Sequence, residues 1–219
     1  LMTSLAAAAS EAGIAYDDLI DHIAAVAKKT DAASVKHVPQ KSIPALRSES
    51  PSTADVKWRY DVVANDVDAI SELVRATGFF HDDETAIAAE LVQERLNKGA
   101  ASGYEFLIAE LGGRVAGYAC FGKIDGTADA FDLYWIAVDP ELQGRGLGRD
   151  ILRRSEAIMR DMGASRVYID TSSSDTYRAT RAFYTAMGYV EEARLADFYK
   201  KGDGKVIFMT NLVPAPVYV

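Results

Sequence analysis

Apolar residues recur at two spacings along this chain, and the spacing switches from element to element. Between residues 57 and 213, period-two runs alternate with stretches of three-to-four-residue periodicity. Residues 57–63 read as a strand. Asn65 or Asp66 starts a helix that reaches Thr77, and a second helix covers roughly 83–98. Strands at 104–111, 114–124 and 130–138 follow, with Gly112-Gly113 as a tight turn between the first two. Residues 146–162 read as an amphipathic helix. Leu147, Ile151, Leu152, Ile158, Met159 and Met162 share one side, and Gly163 stops it. A strand at 167–171, a helix at 178–187 ended by Gly188, and strands at 190–199 and 205–212 around Gly202-Asp203-Gly204 complete the pattern. This order predicts an α/β (α+β) fold: one mixed central sheet with helices on both faces.

The first quarter of the chain has a different pattern. Residues 1–29 read as an N-terminal helical arm: an alanine-rich helix over 5–12 stops at Gly13, and Asp17 or Asp18 starts a second helix bearing Leu19, Ile20, Ile23, Val26 and Ala27. Residues 30–56 read as a linker, since three of the six prolines (Pro39, Pro44, Pro51) fall there among serines. The domains expected are therefore 1–29, 30–56 and 57–213.

Composition narrows the chemistry. The formal net charge is −8, with 24 Lys+Arg against 32 Asp+Glu. That balance argues against nucleic acid or an anionic membrane as the main partner. No apolar run is long enough to span a bilayer. A single cysteine, Cys120, excludes an internal disulfide and a Cys-based zinc site, and the three histidines are scattered, so no metal is expected. The apolar start has no basic segment before it and is interrupted by Glu11, unlike a signal peptide. A cytoplasmic protein is expected.

The most informative stretch is Val138-Asp139-Pro140-Glu141-Leu142-Gln143-Gly144-Arg145-Gly146-Leu147-Gly148-Arg149. A strand runs into a glycine-rich loop, and the loop opens a helix. Glycines let backbone N–H groups converge, and the helix start adds its dipole and free donors, which together suit a phosphate. Residues 143–160 carry net +3 within this acidic chain. A Walker loop is excluded because Arg149-Asp150 follows Gly148, and a dinucleotide fingerprint from Gly144 would need glycine at Arg149.

Gln143-x-x-Gly146-x-Gly148 instead resembles the pyrophosphate loop of the GNAT superfamily of N-acetyltransferases. Trp135-Ile136-Ala137-Val138-Asp139-Pro140 resembles that family's fourth strand. Thr180-Arg181-Ala182-Phe183-Tyr184-Thr185-Ala186-Met187-Gly188-Tyr189 resembles its "A-x-x-F-Y-x-x-x-G-F" helix and following strand. The likeness covers about residues 57–213. Many members carry Asn seven residues before the helix tyrosine; here Tyr177 stands there. Residues 194–199 with 202–205 resemble one subgroup of the family.

The resemblance implies acyl transfer from acetyl-CoA, as co-substrate, to an amine, by direct attack in a ternary complex. It implies that the fourth and fifth strands splay apart, with the cofactor held by Ile136, Ala137 and Val138 and by the loop Gln143, Gly144, Arg145, Gly146, Leu147, Gly148 and Arg149. Tyr177 borders the same site. Tyr184 falls at the general-acid position, with helix–sheet packing as the alternative role. Asp132 and Asp170 match two base positions used by different members. Either is equally a structural, salt-bridged aspartate, and a water relay without a single base stays open. In strand alternation Asp132 shares a face with Tyr134 and Ile136. The acceptor is expected near Phe79 and Phe80, with Tyr134, Trp135 and Tyr199 as further lining. Cys120, among apolar neighbours, is expected to be inert.

A small-molecule amine or amino acid is the first expectation for the acceptor. A protein amine, or a non-catalytic CoA-binding sensor, are the alternatives. Residues 12–21 faintly resemble the tail of D-alanine–D-alanine ligase-type ATP-grasp enzymes, which implies an upstream ligase domain in a longer polypeptide. The other reading is a dispensable arm, or one exchanged between subunits of a homodimer.

Overall fold

The structure, a computed structural model, describes residues 55–80 and 82–212. The expected arm at 1–29, almost all of the linker at 30–56, and His81 lie outside the described residues.

The elements run β1 (Lys57–Arg59), α1 (Asp66–Thr77), α2 (Asp82–Lys98), β2 (Glu105–Leu111), β3 (Arg114–Lys123), β4 (Ala130–Val138), α3 (Leu147–Asp161), β5 (Arg166–Ser172), α4 (Arg178–Ala186), β6 (Val190–Lys200) and β7 (Asp203–Asn211). They form one seven-stranded sheet in the order β1-β2-β3-β4-β5-β7-β6. Every neighbouring pair is antiparallel except β4 and β5. The β2–β3 turn has Gly112 and Gly113 at φ 59° and 80°, the left-handed values that a two-residue hairpin of matching twist needs.

The first strand is shorter than the 57–63 expected. Asp66 receives Arg59 on both carboxylate oxygens at 2.7 and 2.8 Å and also accepts the Val63 N–H at 2.7 Å. Arg59 bonds Glu110 as well, at 2.9 Å. These bonds turn the chain after Arg59 and open α1; Asn65, at the cap position, contributes no side-chain bond.

Strand alternation sorts the interior into two layers. Beneath α3 and α4 lie Leu107, Phe121, Phe131, Leu133, Val138, Ile151, Leu152, Val167, Ile169, Val206 and Phe208. The opposite face is buried by α1 through Ile70, Leu73 and Val74 and by α2 through Ala88, Leu91 and Val92. Ile151 and Leu152 are fully buried, so truncating either to Ala costs about 2–5 kcal/mol. Met162 does not join them. The helix ends at Asp161, and Met162, its C-cap, is 47% exposed.

Candidate active site

β4 and β5 pair only at their beginnings: Ala130 with Arg166, Phe131 with Val167, and Asp132 with Tyr168. β4 then continues to Val138 and β5 to Ser172 without a ladder between them. β7 holds β5 along its whole length, from Arg166 opposite Asn211 to Ser172 opposite Lys205. The divergence has a local cause. Cys120 faces Trp135 while Phe121 faces Leu133, so β4 carries one extra residue, Tyr134, and bends there. The bulge also resets the phase. Ile136 packs against the core beneath α3, whereas Trp135 lies against Phe80 with ring centroids 4.7 Å apart. Ile136 therefore does not share a face with Asp132, as unbroken alternation had implied.

The end of β5 is tied away from β4. Ser172 Oγ bonds Asp203 Oδ1 at 2.5 Å, and Ser173 Oγ accepts the Gly204 N–H at 2.7 Å. Arg181 donates to the carbonyls of Ser172 and Ser174 at 2.6 and 2.8 Å.

β4 ends with an Asp139 N–H bond to the Ala116 carbonyl, 2.9 Å. In an antiparallel ladder the polar groups of successive residues point to opposite edges. The N–H and C=O of Val138 thus face the gap, and those of Ala137 face β3. The Val138 carbonyl is taken by Gln143 Nε2 at 3.2 Å, which leaves its N–H as the donor toward the gap. The Asp139 carboxylate caps the turn Pro140–Leu142 through the Glu141 N–H, 2.9 Å.

Gly144 and Gly146 follow at φ 73° and 93°. Gly146 is the N-cap of α3 and provides no side-chain bond. The first-turn N–H groups of Leu147, Gly148 and Arg149 therefore lack partners inside the helix, and the dipole adds partial positive charge. A Cβ on Gly148 would lie 3.6 Å from Val138 Cγ2, an ordinary contact distance, so the helix start lies close against the strand end. Arg145 and Arg149 flank this turn. The other three arginines counted toward the local charge are placed elsewhere. Arg153 bonds Glu156 and the Met187 carbonyl, Arg154 stacks over Trp58 at 4.3 Å, and Arg160 is in the last turn of α3.

Tyr184 lies in the core between α4 and the sheet, 5% exposed, with its ring against Phe183, Tyr189 and Phe208. Its hydroxyl has no hydrogen-bond partner among the described residues. Burial, and then the nearby Tyr177, push its pKa above the ordinary phenol value, so it holds its proton. Tyr177, at the N-cap of α4, stands 6.2 Å from the Phe79 ring, and burial together with Glu84 and Asp203 raises its pKa as well.

The two aspartates left open by the sequence occupy different environments. Asp170 forms an ion pair with Lys205, whose side chain is almost wholly buried and whose ammonium lies 5.0 Å from the Phe198 ring centre. Asp132 has no hydrogen-bond partner among the described residues. Burial first, then the charge of Asp170, raise its pKa from the ordinary 3.8 to about 7, with Lys205 pulling the other way. Lys205 received no role in the sequence reading. Its alternation against the buried Val206 and Phe208 was the one available sign that it faces Asp170.

Phe79, Phe80, Trp135 and Tyr134 surround this side, with Tyr134 edge-on to Tyr104 at 5.5 Å. Burial and Asp170 raise the Tyr199 phenol. Cys120 is fully buried, and desolvation pushes its thiol well above the ordinary value, away from nucleophilic use. Among the described residues no group of three or more His, Cys, Asp or Glu could hold a metal ion. No described helix is long and apolar enough to cross a membrane.

The model of the Acetyltransferase (GNAT) family matches residues 68–189, more than half of the chain, and the chain belongs to that family. An L-amino acid N-acyltransferase, MnaT, of Escherichia coli K12 is 32% identical over 97 residues, which is 43% of this chain and 55% of that enzyme. The [ribosomal protein bS18]-alanine N-acetyltransferase of the same strain is 29% identical over 87 residues, 40% of this chain and 57% of that enzyme. The chain thus spans a little over half the length of these curated relatives. A GNAT-family protein of known structure from Desulfovibrio desulfuricans superposes with a TM-score of 0.71 at 40% identity, covering 72% of this chain and 99% of that one.

Proposed function

We propose that this protein transfers the acetyl group of acetyl-CoA to the primary amine of a small molecule by direct attack, with Asp132 as the base. The observation that carries the reading is the splayed β4–β5 gap, with a free N–H at Val138 and an unpartnered carboxylate at Asp132 beside it. The cofactor would lie along Ile136–Val138 and the uncapped start of α3, with Arg145 and Arg149 beside its phosphates. The open donors and the glycines at positive φ suit that group. Acetyl-CoA supplies an acyl group on a leaving thiol. A cytoplasmic setting accompanies the reading, supported by the single buried thiol.

Each residue then has one task. Asp132, with its pKa near 7, takes the proton that the ammonium acceptor must lose before its nitrogen bonds to the acyl carbon. The Val138 N–H donates to the carbonyl oxygen as negative charge grows there. As the C–S bond breaks, the acylated nitrogen sheds its second proton to solvent, and Tyr184 gives its own proton to the departing sulfur and recovers one from solvent. Asp170, ion-paired with Lys205, favours a cationic acceptor near Phe79, Phe80 and Tyr134. The MnaT likeness supports a small acceptor. The test is release of CoA thiol from acetyl-CoA across amino acids, other small amines and peptides with free N-termini. Turnover confined to peptides overturns the acceptor class, and CoA binding without any turnover leaves only a sensor.

A further inference from the structure

Residues 171–174 are four hydroxyl side chains in succession, Thr171-Ser172-Ser173-Ser174, at the end of β5. Three are engaged. Ser172 Oγ bonds Asp203 and, at 2.8 Å, Ser174 Oγ, while Ser173 Oγ accepts the Gly204 N–H. Thr171 Oγ1 is buried, in a residue 7% exposed, and has no partner among the described residues. A buried hydroxyl left unpaired costs stability, and a folded chain rarely keeps one without a use for it.

Its position suggests the use. Val167 and Ile169 point into the core beneath α3 and α4, and Thr171 continues that face one step further along β5. That step lies beyond Tyr168, where the pairing with β4 stops. Across the gap, Ile136 and Val138 face the same core, and Tyr184 lies in it. Among the described residues the other unpartnered buried side-chain atoms belong to Tyr118, Ser155, Glu156, Arg160 and Tyr189, none of which is on β4 or β5. Thr171 is thus the orphan on a strand bordering the gap, on the side of the proposed general acid and away from Asp170.

We infer that the Thr171 hydroxyl is a cofactor contact, hydrogen-bonding an amide of the pantetheine arm of CoA in the gap. This rests on the proposed occupancy of the gap by CoA. An amide offers both a carbonyl and an N–H, and a threonine hydroxyl can donate to the first or accept from the second. Asp170 and Lys205 project from the opposite face of β5 and β7, so the contact serves the acyl donor rather than the amine.

The experiment is calorimetric titration of CoA, without acceptor, into wild type, Thr171→Val and Thr171→Ser, together with melting of each ligand-free protein. Valine keeps the shape and removes only the hydroxyl. Thr171→Val should weaken CoA about three- to tenfold, the worth of one neutral hydrogen bond. Its ligand-free Tm should equal or exceed that of wild type, because the unpaired group is gone, and Thr171→Ser should bind like wild type. A Kd for Thr171→Val within about twofold of wild type overturns the inference. So does a fall in Tm or failure of that variant to fold, since the hydroxyl would then be structural. If wild type itself does not bind CoA, the occupancy of the gap falls first. Tight wild-type binding with an equal affinity for the valine variant removes only the role of Thr171.

Discussion

The two faces of the β4–β5 pair are built from opposite chemistry. Toward α3 and α4 the gap presents neutral donors: the Val138 N–H, the first-turn amides of α3, and the Tyr184 and Thr171 hydroxyls. Toward α1 and α2 it presents Asp132 and Asp170, with Lys205 the cation they share. One face suits an electron-rich thioester and its phosphates, the other an ammonium. The bulge at Tyr134 serves both, because it opens the gap and sends Ile136 to one face and Trp135 to the other. Substitutions on one face should therefore leave the other face's ligand nearly untouched, and that separation can be tested.

The largest effect is expected at Asp132. Asp132→Asn should lower kcat/KM by about 10²–10⁴-fold at neutral pH, the usual range for a positioned base. The wild-type profile should rise with pH through an apparent pKa near 7, and the variant should lose that limb. Stability should move the other way. A carboxyl whose folded pKa lies above its unfolded value favours the folded state while protonated. That contribution fades as pH climbs from about 4 to about 7 and is gone above it. At pH 8 the asparagine variant should be more stable than wild type by about 2–4 kcal/mol, measured by urea denaturation. Unchanged CoA affinity would keep the faces separate; a large loss would merge them.

Tyr184→Phe comes next, with about a hundredfold lower kcat and little change in the KM for acetyl-CoA. The ring keeps its contacts with Tyr189 and Phe208, so the Tm should barely move. Because burial raises the phenol above its ordinary value, no phenol limb is expected below about pH 10, and the limb near pH 7 should persist. Wild-type kcat in this variant would make Tyr184 a packing residue.

Gly146→Val should weaken CoA tenfold or more by calorimetry. A β-branched residue is strained at φ 93°, so the turn must shift its donors, while the Arg149 guanidinium, 3.2 Å from the added Cβ, is a flexible end that can move aside. Amine specificity, measured as relative kcat/KM at saturating acetyl-CoA, should stay as in wild type.

Legibility in the sequence divides along the same line. The donor face depends on local chemistry. Gly144 and Gly146 set the backbone of the turn and Gly148 follows in the first turn of the helix, and their spacing, with Gln143, can be read directly from the chain. The element order was legible for the same reason, since periodicity and glycine stops are local. The acidic face depends on what the fold brings together. Asp132 and Asp170 could be named but not ranked, because only Lys205, thirty-five positions beyond Asp170, separates their environments. The bulge has no residue signature in β4, so unbroken alternation put Ile136 on the wrong face. Local charge counting misled too, since Arg153 and Arg154 bind Glu156 and Trp58 instead of standing at the loop.

The smallest effect sharpens the comparison most. Lys205→Met removes the positive charge that, among the described residues, holds the Asp132 pKa down, and leaves burial and Asp170 to push it up. The acidic limb should therefore move to higher pH, by about one unit for a charge at this range in a half-buried site. At pH 7 a smaller fraction of the enzyme would carry the ionised base, and kcat would fall several-fold; at pH 9 most of it should return. Methionine keeps an unbranched apolar stem against Phe198. The stability cost comes from Asp170, whose carboxylate loses its partner but keeps access to solvent. CoA affinity should not change, because Lys205 projects from the face opposite Thr171 and Tyr184. A limb that stays near pH 7 would show that Asp132 is not the group being titrated. A limb that moves together with a large loss of CoA affinity would show that the carboxylate face also shapes the cofactor's side of the gap.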